Sequence, residues 1–302
     1  MKLKFLDFSK FFTAAAIISA TVILIGIVFF IVRGGFKASI DFTGGVMVHF
    51  KTAPDLTQKE LREALSAEGL KVQIQNIGRP EAHEYIVKTA AVSKNNTETV
   101  QKIEDILVKR FQDKVFLPFL QTDVVGPTIG KYITQQAFWL VLLSFLCIMI
   151  YISIRFKPIY AFGGVLALIH DVAVMLAAVV ITGREISTLI IAAILTIIGY
   201  SINDTIVVFD RIREDLKKYR DMTFTDVMNK AVNETLSRTI ITSLTTLFSV
   251  LAILFFGGEV LKDFAFTLSV GIIAGTYSSV FIAGSLVNLW YSKREKNKNF
   301  VS

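Results

Sequence analysis

Six stretches of this sequence stay apolar for about as long as a helix needs to cross a bilayer, roughly 20 residues. They run over 11–32, 137–154, 159–181, 186–209, 239–256 and 264–290. In hydrocarbon every backbone N–H and C=O must be satisfied within its own segment, so each stretch is committed to helix. Only 19% of the 302 residues are charged, against about 25% in a soluble domain. The chain is therefore expected to be an α-helical polytopic membrane protein of six spans. A polar insert at 33–136 separates the first span from the second. The first apolar run exceeds the roughly 7–15 residues of a signal-peptide core. No small-x-small cleavage site precedes Arg33, so that run is read as a retained anchor.

Short-loop charge sets the expected orientation. Lys2, Lys4 and Lys10 precede the first span, and Arg155 and Lys157 lie between the second and third. Arg211, Arg213, Lys217, Lys218, Arg220, Lys230 and Arg238 lie between the fourth and fifth, and Lys293, Arg294, Lys296 and Lys298 follow the sixth. The short loops on the other side hold only Arg184 and Lys262. Both termini are thus expected in the cytoplasm and 33–136 outside. The net charge of +7 belongs to this asymmetry, and no nucleic-acid partner is expected. The single cysteine, Cys147, sits in an apolar run, and the histidines His49, His83 and His170 are scattered. Neither a disulfide nor a metal centre follows from that spacing.

The insert reads as a small α/β domain. Residues 39–51 are strand-like around the Gly44–Gly45 pair, and 57–68 form an amphipathic helix with Thr57 and Glu60 in a capping box and Gly69 as its stop. Residues 71–77 and 84–90 alternate as strands, 97–112 carries apolar residues at helical spacing, and 115–125 is a last strand. The order β-α-β-β-α-β is that of a ferredoxin-like fold, with helices on one face of the sheet and the other open to a partner. Asp41 and Asp123 are isolated carboxylates, read as ordinary turn or surface residues. Asn95-Asn96-Thr97 fits the short glycosylation pattern. No nucleophile motif, phosphate loop or metal spacing points to an enzyme.

The chemistry-bearing groups lie at membrane depth. Asp204 is in the fourth span, where a carboxylate costs about 2.5–3.5 kcal/mol at a helix centre. Tyr200, Ser201, Asn203 and Thr205 surround it in sequence. His170 and Asp171 fall in the middle of the third span. The fifth span opens at Arg238 and carries Thr239, Thr242, Ser243, Thr245 and Thr246, a stripe suited to a hydrated interior. The sixth has Gly271 and Gly275 followed by Ser278 and Ser279, the small residues of close helix packing. A buried carboxylate alternating between dry and Arg-paired surroundings could load and release a proton. Two readings of Asp204 stand open here: a titrating group, or a permanently paired residue that holds helices together. For Asp171 the same choice is open, with His170 as its own satisfying neighbour.

Several motifs carry a family resemblance over essentially the whole chain. They are IDFTGG at 40–45, VGPTIG at 125–130, GYSINDTIVVFDRIRE at 199–214, SRTIITS at 237–243 and GTYSS at 275–279. With six spans and one external domain, the chain resembles the SecF branch of the SecD/SecF family of bacterial Sec translocase subunits. That resemblance implies one half of an RND (resistance-nodulation-division) transporter fold. It also implies a separate SecD partner, the SecYEG translocon and a translocating preprotein as further partners, and the proton as coupling ion with no cofactor. The fourth-span aspartate and the arginine opening the fifth span, here Asp204 and Arg238, would support proton flow; Asp171, His170 and Asn203 are further relay candidates from their own place in the sequence, outside what the resemblance implies. The expected organisation is 1–32 as cytoplasmic N-terminus and first span, 33–136 as periplasmic domain, 137–292 as spans two to six and 293–302 as a basic cytoplasmic tail, in the bacterial cytoplasmic membrane. A half-transporter for lipid or small molecules and a non-conducting scaffold of the translocon remain as alternatives.

Overall fold

The computed structural model describes residues 6–77, 80–90 and 96–299. Lys2, Lys4, Asn95 and the end of the basic tail, 300–302, lie outside them. The first span, α1 (Phe12–Val32), is apolar on every side, as a helix surrounded by lipid and protein must be. The chain then forms a two-residue strand, Lys37–Ala38, and a single helical turn, Ile40–Thr43. That turn replaces the strand expected over 39–44. Gly44 (φ 74°) and Gly45 (φ 152°) hold backbone conformations closed to most side chains, so extended structure starts only beyond them.

The external domain follows with β1 (Gly45–Thr52), α2 (Gln58–Ala67), β2 (Val72–Ile77), β3 (Glu84–Thr89), α3 (Asn96–Phe111) and β4 (Val115–Val125). The sheet order is β2-β3-β1-β4 with every pair antiparallel, the ferredoxin-like arrangement. Alternate residues of β1, namely Val46, Val48 and Phe50, are fully buried against Leu61 and Leu65 of α2 and Ile103 and Leu107 of α3. Each such side chain contributes about 1.5–3 kcal/mol by leaving water. The capping box is formed: the Thr57 hydroxyl takes the Glu60 amide, and the Glu60 carboxylate takes the Thr57 amide at 2.9 Å.

The remaining spans are α4 (Pro127–Arg155), α5 (Pro158–Thr182), α6 (Thr188–Lys218), α7 (Phe224–Phe256) and α8 (Glu259–Ser278). The last passes through a π-helical stretch, Ser279–Ala283, into α9 (Gly284–Asn299). Two starts differ from the hydropathy reading. The second span begins at Pro127 rather than 137, because Pro127 opens a helix. The fifth begins at Phe224 rather than 239, because Thr223 caps an amphipathic segment that runs straight into the apolar one.

The third and sixth spans form the centre, each with 56% of its apolar window covered, while the second has 6% covered. Small residues permit that centre. A Cβ on Gly271 would collide with Ile197 and would lie 2.9 Å from the Met175 sulfur, and one on Gly26 would overlap Ala177. Close backbone approach is the main source of helix association where lipid tails are as apolar as leucine.

Candidate functional site

Asp204 sits on α6 with 6% of its surface exposed. Its hydrogen-bond donor is the Ser243 hydroxyl of α7 at 3.5 Å, and Ser243 in turn accepts from Thr276 of α8 at 2.7 Å. One turn earlier, the Tyr200 hydroxyl bonds the Thr242 carbonyl (3.1 Å) and the Thr246 hydroxyl (3.2 Å), tying α6 to α7. Only part of the fifth-span polar stripe faces the interior: Thr239 and Ser243 are buried. Thr242 and Thr245 return their hydroxyls to carbonyls of their own helix, the inexpensive way to place a hydroxyl near lipid.

Arg238 and Asn203 lie outside this cluster. Both are exposed on the surface of the chain. Asn203 neighbours Asp204 in sequence but points about 100° around the helix, so it shares no face with it. Arg238 is near enough to act on the Asp204 carboxylate electrostatically, yet the two are not in ion-pair contact. The polar residues Asn203, Arg238 and Thr245 thus open onto an uncovered face of the fourth and fifth spans.

A second cluster is built on Asp171 of α5, which is wholly buried. One carboxylate oxygen accepts from Ser201 of α6 (2.6 Å) and Ser278 of α8 (2.9 Å), and the other meets His170 Nδ1 at 3.0 Å. His170 Nε2 lies 2.9 Å from the Ser19 hydroxyl of α1, which bonds the Tyr277 hydroxyl at 3.2 Å. Tyr277 donates to the Ala15 carbonyl at 2.6 Å. Four spans meet in this network. The π-helical stretch follows Ser278 directly, a feature often found at functional sites. The sequence reading gave Ser19, Ser278 and Tyr277 no part in the site, although Tyr277 and Ser278 lie in the GTYSS motif. Ser278 stood among residues assigned to packing, and Ser19 is a lone hydroxyl in an apolar run.

A third set joins the external domain to the bundle. Lys37–Ala38 pairs in parallel with Glu185–Ile186, just before α6. Asp41 accepts from the Thr188 amide (2.8 Å) and hydroxyl (2.9 Å) at the first residue of α6. Lys88 of β3 pairs with Glu185 at 2.8 Å, and Arg184 pairs with Asp263 of α8. Asp41 is therefore no ordinary surface residue; it holds the N-terminus of the helix that carries Asp204. Asp123 lines the cleft of about 510 Å³ between sheet and bundle.

Six membrane helices, a ferredoxin-like domain seated on them and carboxylates buried between the helices define a multi-pass membrane protein with one domain outside the bundle. The comparisons agree. The family profile described as "Protein export membrane protein SecD/SecF, C-terminal" matches residues 106–293. The chain is 41% identical over 285 residues to the protein translocase subunit SecF of Calditerrivibrio nitroreducens, covering 93% of this chain and 92% of that one. The crystal structure of Thermus thermophilus SecDF, a translocon-associated membrane protein, superposes with a TM-score of 0.79 at 36% identity over 93% of this chain. A SecDF structure in a super-membrane-facing form gives 0.70 at 34% identity. The chain spans only 38% of the SecDF chain in the first of these. It belongs to the SecD/SecF family of protein export membrane proteins.

Proposed function

We propose that this chain is the SecF-type half of a paired unit that, with SecD, uses the proton-motive force to promote late-stage preprotein translocation and release at SecYEG. The observation that carries this reading is the state of Asp204. It is buried, held by one long hydroxyl contact, and set near an arginine on an uncovered face. A carboxylate so loosely satisfied can change protonation state without dismantling the bundle. Arg238 and Asn203 facing hydrocarbon would be costly, which supports a second bundle, that of SecD, covering this face and completing the proton path.

In this mechanism a proton arriving from outside neutralises Asp204. The attraction to Arg238 falls, and the fourth and fifth spans repack. Asp41 and Glu185 carry the displacement into the external domain, which captures and releases emerging polypeptide. Both termini are cytoplasmic, 33–136 is periplasmic, the membrane is the bacterial cytoplasmic one, and the coupling ion is the proton, without cofactor or covalent chemistry.

The test is preprotein release from vesicles holding this chain and SecD, with and without a proton gradient. Asp204→Asn should assemble normally and lose gradient-dependent release. Equal release by wild type and variant under the gradient would return Asp204 to a structural role and favour a scaffold.

A further inference from the structure

At the end of the membrane opposite the external domain, the turn joining the second and third spans meets the ends of the fourth and sixth. A cavity of about 440 Å³ opens there, within the size range of small-ligand pockets. Its rim carries Arg155, Lys157, Arg213 and Lys217, and no acidic residue lines it. Arg155 is partly balanced by Asp210, 3.5 Å away, and Arg213 reaches the Arg155 backbone carbonyl at 3.4 Å, which ties the end of the fourth span to the turn that bears Arg155 and Lys157. The floor is apolar: Phe156 and Tyr160 are 8% and 4% exposed. Beside the rim, the last turn of the second span leaves Ile154 83% and Tyr151 56% exposed.

Loop charge explains basic residues at this depth, but it does not explain a cavity walled by them with an uncovered apolar helix running from its mouth into the membrane. We propose that this cavity binds the headgroup of an anionic phospholipid, with the phosphate among the four cations and the acyl chains along the exposed face of the second span. The N-terminus of the third span, at Pro158, adds its positive end to the same site. The occupant is a lipid rather than a free anion because charge and apolar surface are continuous. It is anionic rather than zwitterionic because four cationic side chains and no carboxylate line the cavity, an excess that a headgroup carrying its own cation would not balance. This inference does not rest on the transport reading.

Trp290 lies beside the cavity wall at Tyr291, so quenching by brominated lipids reads occupancy. The experiment places the full chain, with Trp139→Phe to leave Trp290 as the sole indole, in vesicles of brominated phosphatidylglycerol or brominated phosphatidylcholine mixed with their unbrominated forms. Wild type should bind phosphatidylglycerol preferentially. Lys157→Gln, Arg213→Gln and Lys217→Gln should each weaken that preference about fivefold, the effect of one basic charge near an anionic surface. Lys218→Gln, one residue outside the rim, should leave it intact. All four are exposed positions, and a monodisperse elution profile verifies their fold. Equal quenching by the two lipids, an unchanged preference in the rim variants, an equal loss in Lys218→Gln, or occupancy abolished by millimolar glycerol phosphate would each overturn the assignment, the last by showing a site for free anions.

Discussion

Removing the Asp41 carboxylate should loosen the joint between the external domain and the fourth span. Asp41 Oδ2 accepts both the amide (2.8 Å) and the hydroxyl (2.9 Å) of Thr188. That amide is one of the donors a helix leaves unpaired in its first turn. Loss of a capping side chain costs about 0.5–2 kcal/mol, and a carboxylate at the positive end of a helix contributes about 0.3–1 kcal/mol. Asp41 is partly solvated, so the lower halves of these ranges apply, giving about 1–1.5 kcal/mol for Asp41→Ala and less for Asp41→Asn, which keeps an acceptor. The readout is hydrogen exchange of the Thr188 amide in the full chain, which should quicken about 5–10-fold, a kilocalorie being a factor of about five. A cycle combining Asp41→Ala with Thr188→Ala isolates the hydroxyl half of the contact, since the backbone amide remains in both and the second change should add little once the first is made. The same variant should keep its fold and reduce gradient-driven release. Unchanged exchange at Thr188, or fully additive effects in the cycle, would refute the idea that Asp41 clamps this helix.

Two further outcomes follow from the packing and charge. Gly275→Ala would place a methyl 2.8 Å from both the Cβ and the hydroxyl of Ser201, pushing that hydroxyl off Asp171. Overpacking of this kind costs about 1–3 kcal/mol, so the unfolding midpoint in detergent should fall, and a midpoint equal to wild type would show that the bundle yields there. In the external domain, hydrogen bonds from Lys114 and Thr57 hold Asp55 and Glu60 below their ordinary values of 3.8 and 4.5. A carboxylate lowered on folding stabilises the fold above its unfolded pKa and loses that effect as pH falls through the folded one. The advantage of wild type over Asp55→Asn/Glu60→Gln should therefore be full at pH 6 and shrink as pH drops below about 4. An advantage that does not vary with pH would count against it.

The spans and the domain topology were legible because both rest on local patterns, apolar length and alternation. Misreadings came where a local signal stops short of the element. Hydropathy marks only the lipid-facing part of a helix, so it passed over the polar segments after Pro127 and Thr223 that continue into the second and fifth spans. The strand expected over 39–44 failed because two positive-φ glycines, not side-chain preference, decide the backbone there. The site was half legible. Asp204 and Asp171 announce themselves as carboxylates in apolar surroundings, but their partners do not. Ser278 meets Asp171 across 107 residues, Ser19 meets His170 across 151, and Asp41 meets Thr188 across 147. Asn203 shows the converse: neighbouring Asp204 in sequence, it lies on another face of the helix.

The contrast between the two buried carboxylates assigns them different work. Asp171 accepts from serines on the fourth and sixth spans and from His170, and through Ser19 it reaches the first. Withdrawing it would leave several donors stranded in a dry interior at once, and stranding a buried polar group costs about 1–3 kcal/mol. Such a residue fixes the arrangement of the spans around it. Asp204 leaves a single hydroxyl behind, that of Ser243, across a contact already as long as 3.5 Å. Ser201 and Asp204 are one turn apart on the same helix, so the fixed point and the loose one share a rigid element. Displacement at Asp204 would therefore tilt the fourth span about its anchorage at Asp171, and the motion would emerge at its ends. The end toward the external domain is the one that Asp41 holds.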